Sequence, residues 1–213
     1  FTELCREWEV LTSPPTMEGG FDRPIGDASL KGLGGTLEPD FVFLSADVEG
    51  NFRMRGGVVC FPSGWALQEK MGHTLEFIHG VVPGLNPLLG SPINQFLSKL
   101  KPGVAFQRDN WGIAATDELN QHPSRCLPAP SLPVAFDQLW LRVEHQALIA
   151  LPRSNGVLFG IRIVNHRLDS LVNERSVVPG LTRALLSMPE PVAAYKRLET
   201  VRGPLAEALK TVT

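Results

Sequence analysis

Cysteine is scarce in this chain and poorly placed to build anything. Cys5, Cys60 and Cys126 are the only three in 213 residues, and no two of them form a Cys-x-x-Cys pair. An odd, widely spaced set argues against a disulfide framework, a zinc ribbon and a cysteine-held iron–sulfur cluster, and it favours a reducing, cytoplasmic setting. Long apolar runs are missing too: none approaches the roughly 18 residues of a membrane span, so no membrane partner is expected. The opening segment from Phe1 to Trp8 lacks the charged and apolar zones of a signal peptide, and a start without Met implies a trimmed N-terminus whose targeting information could be missing. Charge of one sign is also lacking. The formal net charge is −2, and the basic residues are scattered without interleaved aromatics, which excludes the electrostatic footprint of a nucleic-acid binder. There is no Gly-x-Ser-x-Gly elbow, no phosphate-binding Gly-x-x-x-x-Gly-Lys loop and no dinucleotide fingerprint after a strand. Gly32-Leu-Gly-Gly35 lies outside any strand–helix–strand context. The chain therefore has no familiar means of holding a nicotinamide.

What is present is a composition of 43% hydrophobic and 20% charged residues, which suits one globular domain carrying an appendage. Residues 1–40 read as an irregular arm, rich in Gly and Pro from residue 12 onward, and residues 41–213 as a single domain. Phe41–Ala46 and Phe52–Phe61 read as strands joined by a turn at Glu49-Gly50-Asn51. Two short helices follow, the first capped by Ser63 and stopped by Gly72, the second capped by Thr74 and stopped by Gly80. A longer helix is expected to start with Ser91 as cap and Pro92 at its first position, to carry Ile93, Phe96, Leu97 and Leu100 at helical spacing, and to end at Lys101-Pro-Gly103. Val104–Ala114 reads as a strand, and residues 116–135, with four prolines, as a long surface excursion. Asn155-Gly156 carries the signal of a two-residue type I′ hairpin, so strand 138–151 should pair antiparallel with strand 157–164. From about residue 168 the leucine spacing is helical in several pieces. Strands without strand–helix–strand alternation indicate an α+β fold with an antiparallel sheet.

The strand Leu139–Leu148 places Arg142, Glu144 and Gln146 on one face and Leu141, Val143 and Ala147 on the other, because strand side chains alternate with period two. Such a row is either a water-facing strand surface or the wall of a site. Phe106–Ile113 repeats the pattern, with Arg108 and Asn110 on one face and Asp109 and Trp111 on the other. If the two strands are neighbours, Arg108 or Arg142 is placed to pair with Glu144, as part of either a site or a structural ion-pair network. Among the histidines, His79 shares the apolar helix face of Leu75 and Ile78, which suits either an axial ligand or a helix-end cap. His73 is off the i, i+4 spacing of a helical metal pair, and no His-Glu-x-x-His motif occurs. His122 is expected in solvent, His145 on the apolar side of its strand as a satisfied core residue, and His166 without a partner.

Several segments then fall into a recognisable order: Phe61-Pro-Ser-Gly-Trp65, Glu69-Lys-Met-Gly72, Ile78-His-Gly-Val-Val-Pro-Gly84, Asn110-Trp111, Leu141-Arg-Val-Glu-His-Gln146, Leu151-Pro-Arg-Ser154 and Ala194-Tyr-Lys196. Together, over roughly residues 40 to 200, they resemble the haem-bearing subunit of the haem-dependent oxidative N-demethylases. The resemblance implies a PAS-like fold, meaning an antiparallel sheet with short helices over one face and, here, a helical C-terminal tail. It implies haem b between sheet and helices, and O2-dependent removal of a methyl group from a small secondary amine such as dimethylamine, releasing formaldehyde. His79 would be the axial ligand to the haem iron, Arg142 and Glu144 the catalytic pair, and Arg108, Asn110, Trp111 and Gln146 the other cofactor-binding residues. No flavin, nicotinamide or iron–sulfur site is visible in the sequence, so separate flavin or iron–sulfur reductase subunits are expected to deliver electrons. The family pattern often has Pro where Val81 stands and Arg where His145 stands. A non-catalytic PAS-like haem sensor or interaction module is the alternative.

Overall fold

A computed structural model describes residues 39–174 and 176–212. The arm proposed for residues 1–40, with Cys5 and Gly32-Leu-Gly-Gly35, lies almost wholly outside them. Five strands form one antiparallel sheet: β1 (Asp40–Ala46), β2 (Phe52–Val58), β3 (Ala105–Ala114), β4 (Trp140–Leu151) and β5 (Gly156–Arg167), in the spatial order β2-β1-β5-β4-β3. Among the described residues the helices are α1 (Leu75–His79), α2 (Leu85–Ser98), α3 (Leu168–Leu171), α4 (Val178–Ser187), α5 (Glu190–Tyr195) and α6 (Arg202–Lys210). The fold class is therefore α+β, as the sequence indicates.

Two apolar clusters hold the helices to the sheet. Val42, Leu44, Phe52, Met54 and Val157 meet Leu75 of α1 and Leu97 of α2, with Leu148, Phe159, Ile78, Trp65 and Ile93 packed around them. Phe159 is registered opposite both Val42 and Leu148, so these residues share one face of the sheet. That face is also the one bearing Arg142, Glu144 and Gln146, at alternate positions of β4. The second cluster joins Leu181 and Leu185 of α4 to Leu205 and Leu209 of α6, and packs them against Ile113, Leu139, Trp111 and Leu141. It anchors the C-terminal helices beside β3, which is an edge strand.

The β1–β2 hairpin turns where expected: Gly50 has φ 84°, and the Asp47 carboxylate accepts from the Glu49 and Asn51 amides at 3.0 and 2.9 Å. A register shift between Phe43 and Leu44 brings the paired chains very close at Gly57, where a Cβ would lie 2.3 Å from the Phe41 carbonyl oxygen. Only glycine permits that approach.

Four local expectations need correction. The helix expected after Ser63 is only a 3₁₀ turn at Leu67–Glu69, because the Ser63 hydroxyl accepts a hydrogen bond from Arg142 and Ser63 forms a bridge with Gln121. Helix α2 begins six residues before Ser91. Gly84, in the left-handed conformation after Pro83, starts it; Pro87 falls within its first turn, where an amide has no helical partner to lose, and Pro92 is carried inside. The β4–β5 hairpin pairs Leu151 with Gly156, so the loop is the four residues Pro152–Asn155. Asn155 supplies the left-handed residue (φ 49°), while Gly156 already belongs to the strand. The strand pairing itself is as expected. Finally, His145 is exposed, with Nδ1 2.8 Å from the Asp109 carboxylate across the β3–β4 pair, instead of packing in a core. That stretch of sheet is open to water on the His145 side.

Helix α1 forms as its sequence signals demand. The Thr74 hydroxyl accepts from the Phe77 amide at 3.2 Å, and Leu75 is buried while Ile78 packs on the first cluster. His79, at the last turn, is half-buried. The chain then turns through Val82, whose amide donates to the His79 carbonyl at 2.9 Å, and Asn86 of α2 reaches back to the Glu76 carbonyl at 2.7 Å.

Candidate haem-pocket wall and adjoining cavity

The polar row of β4 is buried. Arg142, Glu144 and Gln146 are 4%, 9% and 7% exposed, which rules out the water-facing alternative. In the register, Gly112 stands opposite Arg142, Asn110 opposite Glu144 and Arg108 opposite Gln146. The two rows thus form one polar stripe across β3 and β4.

A cavity of about 480 Å³ opens over this stripe, within the size range of small-molecule sites. Its floor is Asn110, Gly112, Ala114, Arg142 and Glu144. Trp65 with Ser63, His122 with the proline-rich excursion, and Tyr195 with Lys196 make the walls. Trp65 packs against the same apolar cluster as Ile78 of the helix that bears His79, and His79 itself does not line the cavity.

Arg142 is a brace. Its Nε donates to the Ser63 hydroxyl at 2.8 Å; one terminal nitrogen donates to the Glu118 carbonyl (3.3 Å) and the Asn165 side chain (3.5 Å), and the other to the Phe61 (2.9 Å) and Leu119 (2.8 Å) carbonyls. All five N–H donors of the guanidinium are therefore committed. Burial pushes its pKa down to about 10 against the opposing pull of Glu144 and Asp40. Asp40 secures the same loop from the other side, accepting from the Cys60 and Phe61 amides at 2.8 and 2.7 Å, and burial holds its carboxyl above the usual range. An Arg142→Met variant would leave the carbonyls of Phe61, Glu118 and Leu119 short of donors. At about 1 to 3 kcal/mol for a buried unsatisfied group, stability should fall by about 3 kcal/mol or more, read as a lower urea midpoint at unchanged slope. A midpoint within experimental error of the parent would remove the bracing role.

Glu144 has no ion-pair partner among the described residues. Neither arginine reaches it: Arg142 is spent on the loops, and Arg108 lies exposed at the surface. Its Oε2 instead accepts from Gln146 Nε2 at 2.7 Å and Asn110 Nδ2 at 3.3 Å. Asn110 in turn accepts from Lys196 Nζ at 3.4 Å, and Lys196 donates to the Trp111 carbonyl at 2.6 Å with its ammonium 5.7 Å from the indole centroid. Burial lowers the Lys196 pKa, which Glu144 partly offsets, while burial and Glu144 both raise that of Tyr195. Glu144 Oε1 accepts no bond from a described residue, so the cavity holds a carboxylate with one free acceptor beside two tryptophans and a tyrosine. Arg142, Lys196 and Arg197 line the same cavity, so it is the free acceptor and not the net charge that suits a ligand bearing N–H groups.

Whether these residues suit a haem can be tested on their donor chemistry. The His79 imidazole makes no hydrogen bond to a described residue, and burial together with the nearby Arg108 charge lowers its pKa. Both effects favour the neutral imidazole, the form that ligates iron. Gln146 Oε1, next along the stripe, is buried without a partner among the described residues, an orphaned acceptor on the sheet wall facing the helices. These features fit an imidazole-ligated cofactor. No group of three or more His, Cys, Asp or Glu among the described residues could hold a bare metal ion.

Of the residues singled out from sequence, Arg142, Glu144, Asn110 and Trp111 come together around the cavity. Gln146 joins through Glu144, whereas His79 and Arg108 do not line it. His122, expected in solvent, lines the cavity with Nδ1 2.7 Å from the Ser124 hydroxyl. The sequence reading assigned no role to Trp65, Tyr195 or Lys196. Trp65 and the Tyr-Lys pair stand in the ordered segments quoted above, but their convergence spans more than a hundred residues of chain and has no local signal. No helix among the described residues is long and apolar enough to cross a membrane.

The model of one protein family, described as haem-dependent oxidative N-demethylase, alpha subunit-like, matches residues 9–206. Its description carries both a haem dependence and membership of a multi-subunit assembly. Since the match spans nearly the whole sequence, the chain belongs to the haem-dependent oxidative N-demethylase alpha subunit-like family.

Proposed function

We propose that this protein is the haem-bearing subunit of a multicomponent oxygenase that removes a methyl group oxidatively from a small secondary amine, releasing formaldehyde. The single observation that carries the reading is the buried Glu144 carboxylate, without an ion-pair partner among the described residues, in a cavity over the sheet face on which the helix bearing His79 packs. In this reading the cofactor would be haem b, His79 would hold its iron through the imidazole, and Arg108, Asn110, Trp111 and Gln146 would line the space for it. The sheet with α1 and α2 over one face is read as PAS-like.

When bound, haem supplies the reductive activation of O2, using two electrons delivered from outside the chain. The chain's own residues do the rest. Glu144 Oε1 accepts an N–H of the substrate ammonium and places its methyl group; Asn110 and Gln146 hold the carboxylate in that pose. Trp65, Trp111 and Tyr195 give the cavity apolar aromatic surface near the carboxylate. Arg142 keeps the loops bearing Ser63 and Leu119 seated on the sheet, a positioning role in place of direct contact with substrate. Since no flavin, nicotinamide or iron–sulfur motif is visible in the sequence, flavin or iron–sulfur reductase subunits are the expected partners. Exposed, unpaired Cys60 and Cys126 are compatible with a cytoplasmic setting.

The test is direct. Reconstituted with haem, reduced and supplied with O2, the protein should release formaldehyde from dimethylamine. A Soret band without formaldehyde from any secondary amine would favour the rival reading, a haem sensor, which the saturation of Arg142 by structural hydrogen bonds supports. No Soret band at all would overturn both.

A further inference from the structure

Lys196 stands one residue past α5, where the C-terminal helices come against the outer edge of β3. Its ammonium can only donate, so the oxygen it meets on Asn110 must be the amide Oδ1. That fixes which way the Asn110 amide faces: Nδ2 is left pointing at Glu144 and has to donate to it. An asparagine free to flip could present either atom, and a carboxylate meeting Oδ1 would be repelled.

We propose that Lys196 is a positioning residue that, by fixing the Asn110 amide, holds Glu144 as a hydrogen-bond acceptor with Oε1 directed to a cationic ligand. The use of the site rests on the function proposed above, whereas the relay itself does not. A purely structural lysine, serving only the Trp111 carbonyl at 2.6 Å, would leave the Asn110 amide indifferent to its charge. The relay instead requires a cation at residue 196. Because burial lowers the Lys196 pKa, the relay should loosen at alkaline pH as the ammonium loses its proton. The other titratable groups around the same cavity are Glu144 and Arg142 of β4, His122 and Cys126 of the excursion, and Tyr195 and Arg197 beside Lys196. An arginine at residue 196 separates their effects from its own, since it stays charged.

The experiment follows the Asn110 side-chain amide signals in the full 15N-labelled protein, identified by their loss in Asn110→Ala. In the parent protein the two amide protons should be well separated at neutral pH and converge as pH rises. In Lys196→Met they should be converged at every pH; in Lys196→Arg they should stay separated with no alkaline step. Formaldehyde release should fall at least tenfold in Lys196→Met, and its alkaline limb should move to higher pH in Lys196→Arg. Signals in Lys196→Met that match the parent would overturn the proposal, as would an alkaline step that Lys196→Arg leaves in place. Should Lys196→Met fail to fold, the parent and Lys196→Arg titrations decide alone. The amide signals do not depend on turnover, so an inactive protein would defeat the proposed reaction without touching this inference.

Discussion

Replacing His79 with alanine should abolish the Soret band of the haem-reconstituted protein, or shift it strongly, with a loss of haem affinity beyond about 100-fold. Loss of a mere supporting partner around a metal ligand costs about 10- to 100-fold, and a direct ligand contributes more. The fold should survive, because His79 ends a five-residue helix whose attachment depends on Leu75 and Ile78. Circular dichroism and the urea midpoint should therefore stay close to those of the parent while the spectrum changes. An unchanged Soret band in a folded His79→Ala protein would transfer the ligand role elsewhere. His73 would be the first suspect, although its exposed ring stacks on Phe77 at 3.9 Å between centroids.

The second large effect is expected at Glu144. Glu144→Gln keeps the shape of the side chain and an oxygen able to accept from Asn110 and Gln146, but removes the charge. Stability should change by less than about 1 kcal/mol, since each donor keeps a partner. Turnover of dimethylamine should fall by about 100-fold or more, within the range typical of a positioned charged or acid–base group. The Soret band should persist, separating this loss from the His79 one. A Glu144→Gln protein releasing formaldehyde within twofold of the parent rate would assign the carboxylate to structure, and the cavity would need another anchor for the amine. Glu144→Ala is the less informative variant, because it strands the Asn110 and Gln146 amides and confounds rate with stability.

Both expectations reach back to features that were legible in the chain. Alternation along Leu139–Leu148 put Arg142, Glu144 and Gln146 on one face, and the structure keeps them there. The β4–β5 pairing followed from the turn residues even though the loop proved to be four residues long, because strand patterning and a left-handed Asn155 constrain the hairpin more than the loop type does. Helix α1 was legible through Thr74 and Gly80, since capping is chemistry between near neighbours. The helix expected after Ser63 failed for the opposite reason: a distant arginine took the hydroxyl that was to cap it. His145 failed because alternation names the face of a strand but not whether anything covers it.

The sequence by itself determined which residues share a face, where the strands and helix α1 lie, and, through the order of its segments, the family to which the chain belongs. Each rests on short-range geometry or on residue order, both written along the chain. Tertiary structure alone decided that the polar row is buried, that Arg142 is consumed by the loops at 61–63 and 118–119, and that Lys196 reaches Glu144 through Asn110. Burial and hydrogen-bond partnership at that range depend on which distant segments come to cover a face. No period or motif along one strand encodes that, since the covering groups stand 23 to 85 residues away in the sequence.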